Sequence, residues 1–406
     1  MSARQPDFMP RLPLSLTAGL VAASLAYLAA GVLWRFAEVG FPFGPEQDPL
    51  GDEQSLLGAV DHAEAWPYVI ALAALGLLTA AALRRPASGA LSRLVTVLSA
   101  AQGVLYAVVL PDGRPLVAAA HVPVLIAGKP FGWPPDVTIS SQLPWPVVHQ
   151  MILMVVGGAW IAATILHARV ARGACVRCGR TAIAPRWAEP EQALRWGRWA
   201  VWVAMAAPAS YASSRLAWAL DIPYGVTPLW LDEMRADEPT IFVGGAAIAL
   251  LGLGGAALTF GLVAGWGERW PRWIPRLRGR AVPHRVAIIP SLVVAALLVS
   301  AGKGWYVSAT LGHLPEEVFG PQWATVIFGS TLPPWGIALG VAAYAYWLRR
   351  RGACARCGRG GPAPELPACR ALLNRSRRTC FPISPRSAGS PNGEASTTIR
   401  ERPRWR

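Results

Sequence analysis

The sequence predicts an all-α membrane protein, a polytopic bundle of about eight transmembrane helices in two parallel four-helix repeats, plus a short re-entrant or interfacial segment. Of the 406 residues, 53% are hydrophobic and only 15% are charged, which is too apolar for an ordinary soluble chain of this length. Uncharged runs of roughly 17 to 25 residues, long enough to cross a bilayer as helices, recur along the chain. A nine-residue motif that follows two of these runs indicates the repeat.

Eight segments have the length and apolar character of transmembrane helices. They cover residues 14–34, 66–83, 94–110, 146–166, 199–220, 241–264, 286–301 and 323–347. The fifth contains Arg215, and the eighth is interrupted by Pro333 and Pro334, which neighbouring helices can accommodate. A further apolar stretch, residues 115–128, is too short to span and contains His121, so we interpret it as re-entrant or interfacial.

The distribution of arginine and lysine predicts the orientation of the chain. With the N-terminus inside, the inner segments before residue 349 hold 18 basic residues, whereas the outer loops hold five. The outer loops also hold 16 of the 23 acids. We therefore expect a multi-pass protein of the plasma membrane with both termini in the cytoplasm.

These features divide the chain into five predicted regions. They are a cytoplasmic N-terminus (residues 1–13), a first repeat (14–180), a cytoplasmic linker (181–198), a second repeat (199–359) and a disordered basic cytoplasmic tail (360–406). The tail is rich in Pro, Ser, Gly and Arg, a composition that cannot bury a core. Its charge and that of the inner loops predict attraction to anionic lipid head groups. Nucleic-acid binding is not expected, because the sequence contains no supporting motif.

A duplicated motif is the main observation for the repeat. Residues 172–180, RGACVRCGR, match residues 351–359, RGACARCGR, at eight of nine positions, and each copy directly follows a predicted span. Because each repeat has an even number of spans, the two copies are expected to be parallel. Both motifs then lie at the same face of the membrane.

Two aromatic pairs extend the repeat into the first span of each half. Tyr27 and Trp34 stand seven residues apart in the first span. Tyr211 and Trp218 have the same spacing in the fifth span, and each pair leads into a Pro-aromatic-Gly step. The repeat is therefore about four spans long.

Four of the six cysteines form two Cys-x-x-Cys-Gly turns, Cys175/Cys178 and Cys354/Cys357. Two such turns that meet complete a tetrahedral four-cysteine zinc site. We therefore predict one structural zinc that clamps the cytoplasmic ends of the fourth and eighth spans, where a structural disulfide is not expected. Two alternatives stay open. The nearby arginines also suit a redox-active dithiol, or they are stop-transfer charges and the cysteines are inert products of the duplication.

Four polar residues at predicted membrane depth are candidates for a polar pocket. Arg215 lies near the outer end of its span. Two interpretations stay open: the arginine binds a substrate, or it extends its side chain to the membrane interface. His149 and Gln150 open the fourth span, and they would line one pocket with His121 if residues 115–128 re-enter from outside. A purely packing role for the histidines stays open.

The sequence contains no soluble catalytic signature, since it lacks a phosphate-binding loop, a dinucleotide-binding glycine motif and His-Glu-x-x-His. We expect no enzymatic activity, because a membrane enzyme would need a convergent set of His, Asp and Glu. A permease-like transporter of small molecules fits the duplicated bundle. The alternative is a non-transporting membrane scaffold or sensor held together by the cysteine motifs.

Two segments carry a resemblance to known proteins. Residues 199–225, which include RLAWALDIPYG, and residues 269–283, RWPRWIPRLRGRAVP, resemble parts of multi-pass membrane proteins common in high-GC Gram-positive bacteria. The resemblance covers roughly residues 14–359 and ends before the tail. It implies a membrane bundle, and it supplies neither an activity nor catalytic residues.

Overall fold

The computed structural model describes residues 12–361, apart from residues 38, 45–47, 49–59, 86–87, 133–137, 239, 273, 311 and 313–319. The described residues form α-helices and contain no β-strand beyond one isolated bridge between Arg269 and Ala281. Seven helices are long and apolar enough to cross a membrane. The predicted all-α polytopic helix bundle is therefore confirmed. The predicted N-terminal segment and basic tail fall almost wholly outside the described residues.

Eleven α-helices occur in this part of the chain. They are α1 (Leu14–Phe36), α2 (His62–Ala82), α3 (Gly89–Val104), α4 (Arg114–Gly128), α5 (Ile139–Gln142), α6 (Trp145–Ala171), α7 (Pro190–Ala219), α8 (Pro228–Asp237), α9 (Ile241–Phe260), α10 (His284–Thr310) and α11 (Trp323–Arg350). A π-helical turn, Leu105–Val109, continues α3. The seven helices with spanning length and hydropathy are α1, α2, α3 with its π-turn, α6, α9, α10 and α11.

Helix α7 contains the predicted fifth span and lies outside that set of seven. Arg215 and several serines lower its hydropathy, although its 30 residues exceed the length of a span. Protein surrounds much of this helix, because α9 and α11 both pack along it. Small buried residues such as Ala204 and Ala207 permit this close approach. Within the predicted span, Ser214 is buried and Ser210 and Arg215 are partly buried, whereas Ser213 is exposed.

The short apolar stretch at residues 115–128 folds as α4. This helix has 15 residues, fewer than a straight bilayer crossing needs. It packs against α6 on one side and against α9 and α10 on the other. Helix α4 thus lies between the earlier and later helices of the chain, and its re-entrant or interfacial placement stays a prediction.

The helices form two groups in chain order, α1–α6 and α7–α11. In the first group α1 packs on α2 and α3 packs on α6; in the second, α7 packs on α9 and α10 packs on α11. Each group has its own buried core, around Leu20 and Trp160 in the first and around Leu298 and Tyr346 in the second. This shared packing order supports the duplication inferred from the motifs.

Candidate metal centre

Two loops bring four cysteines together at the end of the bundle where α6 and α11 finish, which we term the cysteine end. The cluster consists of Cys175, Cys178, Cys354 and Cys357. Both loops close the same turn: the N–H of Gly179 donates to the carbonyl of Cys175 at 2.7 Å, and that of Gly358 to Cys354 at 2.8 Å. Gly179 and Gly358 have φ of 69° and 65°, a left-handed conformation that favours glycine. The glycine that follows the second cysteine of each motif is therefore required by the turn.

The four thiols have the spacing of a tetrahedral ligand set. All four Sγ atoms lie within 4.8 Å of one another. Sγ of Cys175 is 3.9 Å from Sγ of Cys354, and Sγ of Cys178 is 3.6 Å from Sγ of Cys357. Zinc–sulfur bonds of about 2.3 Å in a tetrahedron require sulfur atoms about 3.8 Å apart. All four cysteines are free thiols. The prediction that the two motifs meet is confirmed.

Backbone N–H groups around the cluster favour thiolates in both loops. The N–H groups of Cys357 and Arg356 donate to Cys354 and lower its pKa to about 6. At Cys175, burial opposes ionisation, but the N–H groups of Cys178 and Arg177 outweigh it and lower the pKa. Burial raises the pKa of Cys178 to about 11. Because four adjacent thiolates repel one another, full ionisation of this cluster requires a bound cation.

Arginines from each motif bind the backbone of the other motif. Arg180 donates from Nη1 to the carbonyl of Gly352 at 2.8 Å and to that of Arg359 at 3.1 Å. Arg359 donates back to the carbonyl of Arg180 at 3.3 Å, and Arg351 donates to that of Cys178 at 3.0 Å. From the sequence these arginines were predicted only as flanking charges. In the structure they join the two loops and place positive charge beside the thiols.

The donor set narrows the metals that this cluster could hold. Four sulfur ligands at tetrahedral spacing are typical of Zn²⁺ and of iron–sulfur chemistry, and they are a poor match for Mg²⁺ or Ca²⁺. Comparison with known proteins finds no family model, no curated protein and no solved structure that matches the chain. The identity of the metal therefore has to be argued from the residues of the cluster themselves.

The predicted polar residues lie at or near the opposite end of the bundle, which we term the far end. His149 and Gln150 are near the start of α6, about 30 Å along the helix axis from its last residue. His149 is buried, and its Nε2 is 2.8 Å from the hydroxyl of Tyr27. Both side chains line a cavity of about 160 Å³ among apolar and aromatic residues of the first group. Gln150 instead binds Asp112, accepting its N–H at 2.9 Å and donating to its carboxylate at 2.8 Å.

The other two candidates have separate surroundings. Nδ1 of His121 is 2.9 Å from the carbonyl of Val117, one turn earlier in α4. Arg215 lines a second cavity, enclosed by residues of the second group. The structure therefore does not bring these residues into one pocket: His149 and Gln150 are neighbours with different partners, and Arg215 lies in the other group.

A buried ionic network at the far end was not predicted from the sequence. Its members are Asp48, Asp112, Arg114, Gln150, Ser300 and Lys303. Arg114 donates to the carboxylates of Asp48 at 2.7 Å and Asp112 at 2.6 Å. The three side chains are 11%, 7% and 0% exposed, respectively, so this network is inside the protein. Asp48, Asp112 and Arg114 lie between predicted spans, in loops that the predicted orientation places outside.

The far-end network also joins the two helix groups. Ser300 of α10 donates to the carbonyl of Pro111 at 2.6 Å, and Lys303 donates to that of Val109 at 2.7 Å. Val109 ends the π-helical turn, where the altered backbone pattern leaves carbonyls available to side chains. The only hint in the sequence was a lysine directly after a predicted span, and its acceptor is 194 residues away.

Proposed function

We propose that this protein is a non-transporting membrane scaffold in which one structural zinc ion clamps the two helix groups together at the cytoplasmic face. The observation that carries the proposal is the convergence of four sulfur atoms, two from each group, within 4.8 Å of one another. Four protein ligands leave no open coordination position, which is typical of structural and not catalytic zinc. Zinc held there would link the ends of α6 and α11.

The same convergence favours zinc over the two alternatives for the cysteines. A redox-active dithiol needs only one Cys-x-x-Cys turn, so a second turn packed against it has no function in that chemistry. If the cysteines were inert, their four sulfur atoms would not be expected to converge at the distances of metal ligands. Arg180, Arg351 and Arg359 also lie where they offset the net negative charge of a zinc bound by four thiolates.

Two observations favour a scaffold over the permease-like interpretation. Side chains of α10 donate hydrogen bonds directly to the backbone of the first group at Pro111 and Val109, so the groups are in close contact there. The two cavities described above each lie inside a single group. A carrier that alternates its access by rocking one repeat against the other would have to break the buried bonds of Ser300 and Lys303 in each cycle.

Metal analysis of the full-length, detergent-purified protein tests the zinc centre. We expect about one zinc per chain, and loss of that zinc in the double variant Cys175→Ser/Cys178→Ser. The matched control is Cys369→Ser/Cys380→Ser, which removes two cysteines outside the described residues and should retain the metal. Less than about half an equivalent of zinc in the unaltered protein would refute the zinc centre. Iron in place of zinc would refute the identity of the metal, and a reversible Cys175–Cys178 disulfide without metal would support the redox alternative.

Thiol labelling in membranes separates the scaffold from a transporter. Ser300 is fully buried between the groups, whereas Tyr306, six residues later on α10, is 48% exposed. We expect Ser300→Cys to resist a membrane-impermeant maleimide and Tyr306→Cys to react, as followed by mass spectrometry of the α10 peptide. Labelling of Ser300→Cys at a rate comparable with the control would mean that water reaches the junction, and the permease-like interpretation would then be preferred.

The cysteine end also supports binding to anionic lipid. It presents exposed arginines, which include Arg172, Arg177, Arg195, Arg276 and Arg278. Such clusters next to membrane helices attract acidic head groups by about 1 kcal/mol per charge. We expect phosphatidylglycerol to co-purify in preference to phosphatidylcholine and to be lost as salt is raised. Equal recovery of both lipids would contradict this part of the proposal.

A further inference from the structure

The second cavity, of about 220 Å³, lies at the far end of the second helix group. It is enclosed by the last turns of α7, the first turns of α9 and α11, and α8. Its lining combines three polar side chains with a set of large aromatic ones: Arg215, Gln322 and Thr325 with Trp218, Trp230 and Phe242. This composition differs from that of the apolar cavity in the first group.

Arg215 differs from the two sheltered arginines Arg114 and Arg349, which pair with carboxylates. Arg114 pairs with two aspartates, and Arg349 pairs with Glu268 at 3.0 Å. The guanidinium of Arg215 instead lies over the rings of Trp218 and Tyr211, 4.4 and 5.1 Å from their centroids. Its Nε is buried without a hydrogen-bond partner, and no carboxylate of the described residues pairs with it. A cation so placed gains stability from an anion.

Two further donors of the cavity are uncommitted. Gln322 precedes α11 and does not cap it through its side chain. Within the described part of the chain, the side chains of Gln322 and Thr325 make no hydrogen bond. Gln322 precedes the first turn of the 28-residue helix α11, and Thr325 lies within that turn. The N–H groups and the dipole of this helix end add positive potential. A guanidinium, an amide and a hydroxyl therefore line one space, and no carboxylate of the described residues pairs with the guanidinium.

We propose that this cavity binds an anionic oxygen group, a phosphate or carboxylate, attached to an apolar body. Arg215 supplies the charge and the paired N–H donors that recognise such groups. Gln322 and Thr325 complete the donor set, and Trp218, Trp230 and Phe242 provide the apolar walls. Either the head group of a lipid or a free small acid meets this description. The proposal is independent of the zinc centre.

The two helix groups differ in the residue that stands three positions before the cavity tryptophan. Trp34 lines the first cavity as Trp218 lines the second, and each indole donates to a nearby backbone carbonyl. Three residues before Trp218 is Arg215, whereas three residues before Trp34 is Gly31. Gly31 packs closely against α2, so the first group has no room for a side chain there. The arginine is therefore a feature of the second group alone.

Binding measurements on the full-length protein test this site. The free-anion probes are inorganic phosphate and benzoate, titrated by calorimetry in neutral detergent; the lipid probe is phosphatidylglycerol, counted by native mass spectrometry against phosphatidylcholine. We expect Arg215→Gln to weaken binding of at least one probe about tenfold or more, and Arg215→Lys to restore part of it. The control is Arg35→Gln, which alters an exposed arginine of the first helix group and should change binding less than twofold.

The outcomes separate the two sources of the anion. A lipid is identified if the unaltered protein retains phosphatidylglycerol, Arg215→Gln loses it, and free anions do not compete. A small acid is identified if phosphate or benzoate competes. Binding of no probe, or equal binding by Arg215→Gln, overturns the proposal. Thermal unfolding without added anion checks the fold. A loss of stability in Arg215→Gln reports the contacts with Trp218 and Tyr211, and the binding comparison then rests on Arg215→Lys, which should bind at least one probe more weakly than the unaltered protein.

Discussion

The two helix groups are joined at both ends of the bundle, but the two junctions have different chemistry. At the cysteine end each group contributes the same loop, and Arg180 and Arg359 donate to each other's backbone carbonyls. At the far end α10 of the second group donates from Ser300 and Lys303 to the first group, and no described side chain of the first group donates in return. Two copies of the same loop can supply the four ligands of one tetrahedral metal. Two different surfaces instead need a specific donor for each acceptor.

The far-end junction depends on buried charge. Arg114 is nearly enclosed with two carboxylates, so loss of one member leaves the others without compensation. At the cysteine end, a bound metal would hold the four thiolate ligands together. The hydrogen bonds from arginines to backbone carbonyls of the other loop do not need the metal. This contrast predicts that the far end is sensitive to mutation and the cysteine end to metal.

The largest effect is expected from Arg114→Met. The variant leaves Asp48 and Asp112 buried without a cation, which costs about 3–5 kcal/mol of the free energy of unfolding. Tryptophan fluorescence during denaturation in detergent measures it. The matched control is Arg35→Met, which alters an exposed arginine and should change the free energy of unfolding by less than about 1 kcal/mol. Equal effects of the two variants would show that the far-end network is not a stabilising junction.

This network also shows where prediction from sequence ends. Long apolar runs and repeated Cys-x-x-Cys turns are local patterns, so the helices and the meeting of the motifs could be predicted. Arg114 and Asp48 are 66 residues apart, and hydropathy does not distinguish a charge on an exposed loop from one covered by a neighbouring helix. The shared pocket was inferred from membrane depth alone. Depth does not say which side chains meet, and Arg215 lines a different cavity from His149.

Removal of metal is expected to have the next largest effect, and only at the cysteine end. If free zinc is kept 100-fold above the dissociation constant, a chelator should lower the free energy of unfolding by about 2.7 kcal/mol. Thermal scans with and without chelator measure the change. Arg114→Met should keep this sensitivity, because its site is at the other end, whereas Cys175→Ser/Cys178→Ser should lose it. A chelator effect that persists in the cysteine variant would place the metal elsewhere.

The smallest effect is expected from Ser300→Ala, which weakens the far-end junction without unpairing a charge. Ser300 is fully buried and donates to the carbonyl of Pro111, so its loss removes one hydrogen bond and leaves an acceptor in an enclosed place. We expect a decrease of about 1–2 kcal/mol in the free energy of unfolding. Ser213→Ala is the control, because that exposed hydroxyl bonds only within its own helix and its loss should change stability by less than about 0.5 kcal/mol. An unchanged Ser300→Ala would indicate that Lys303 and the ionic network hold this junction without the serine.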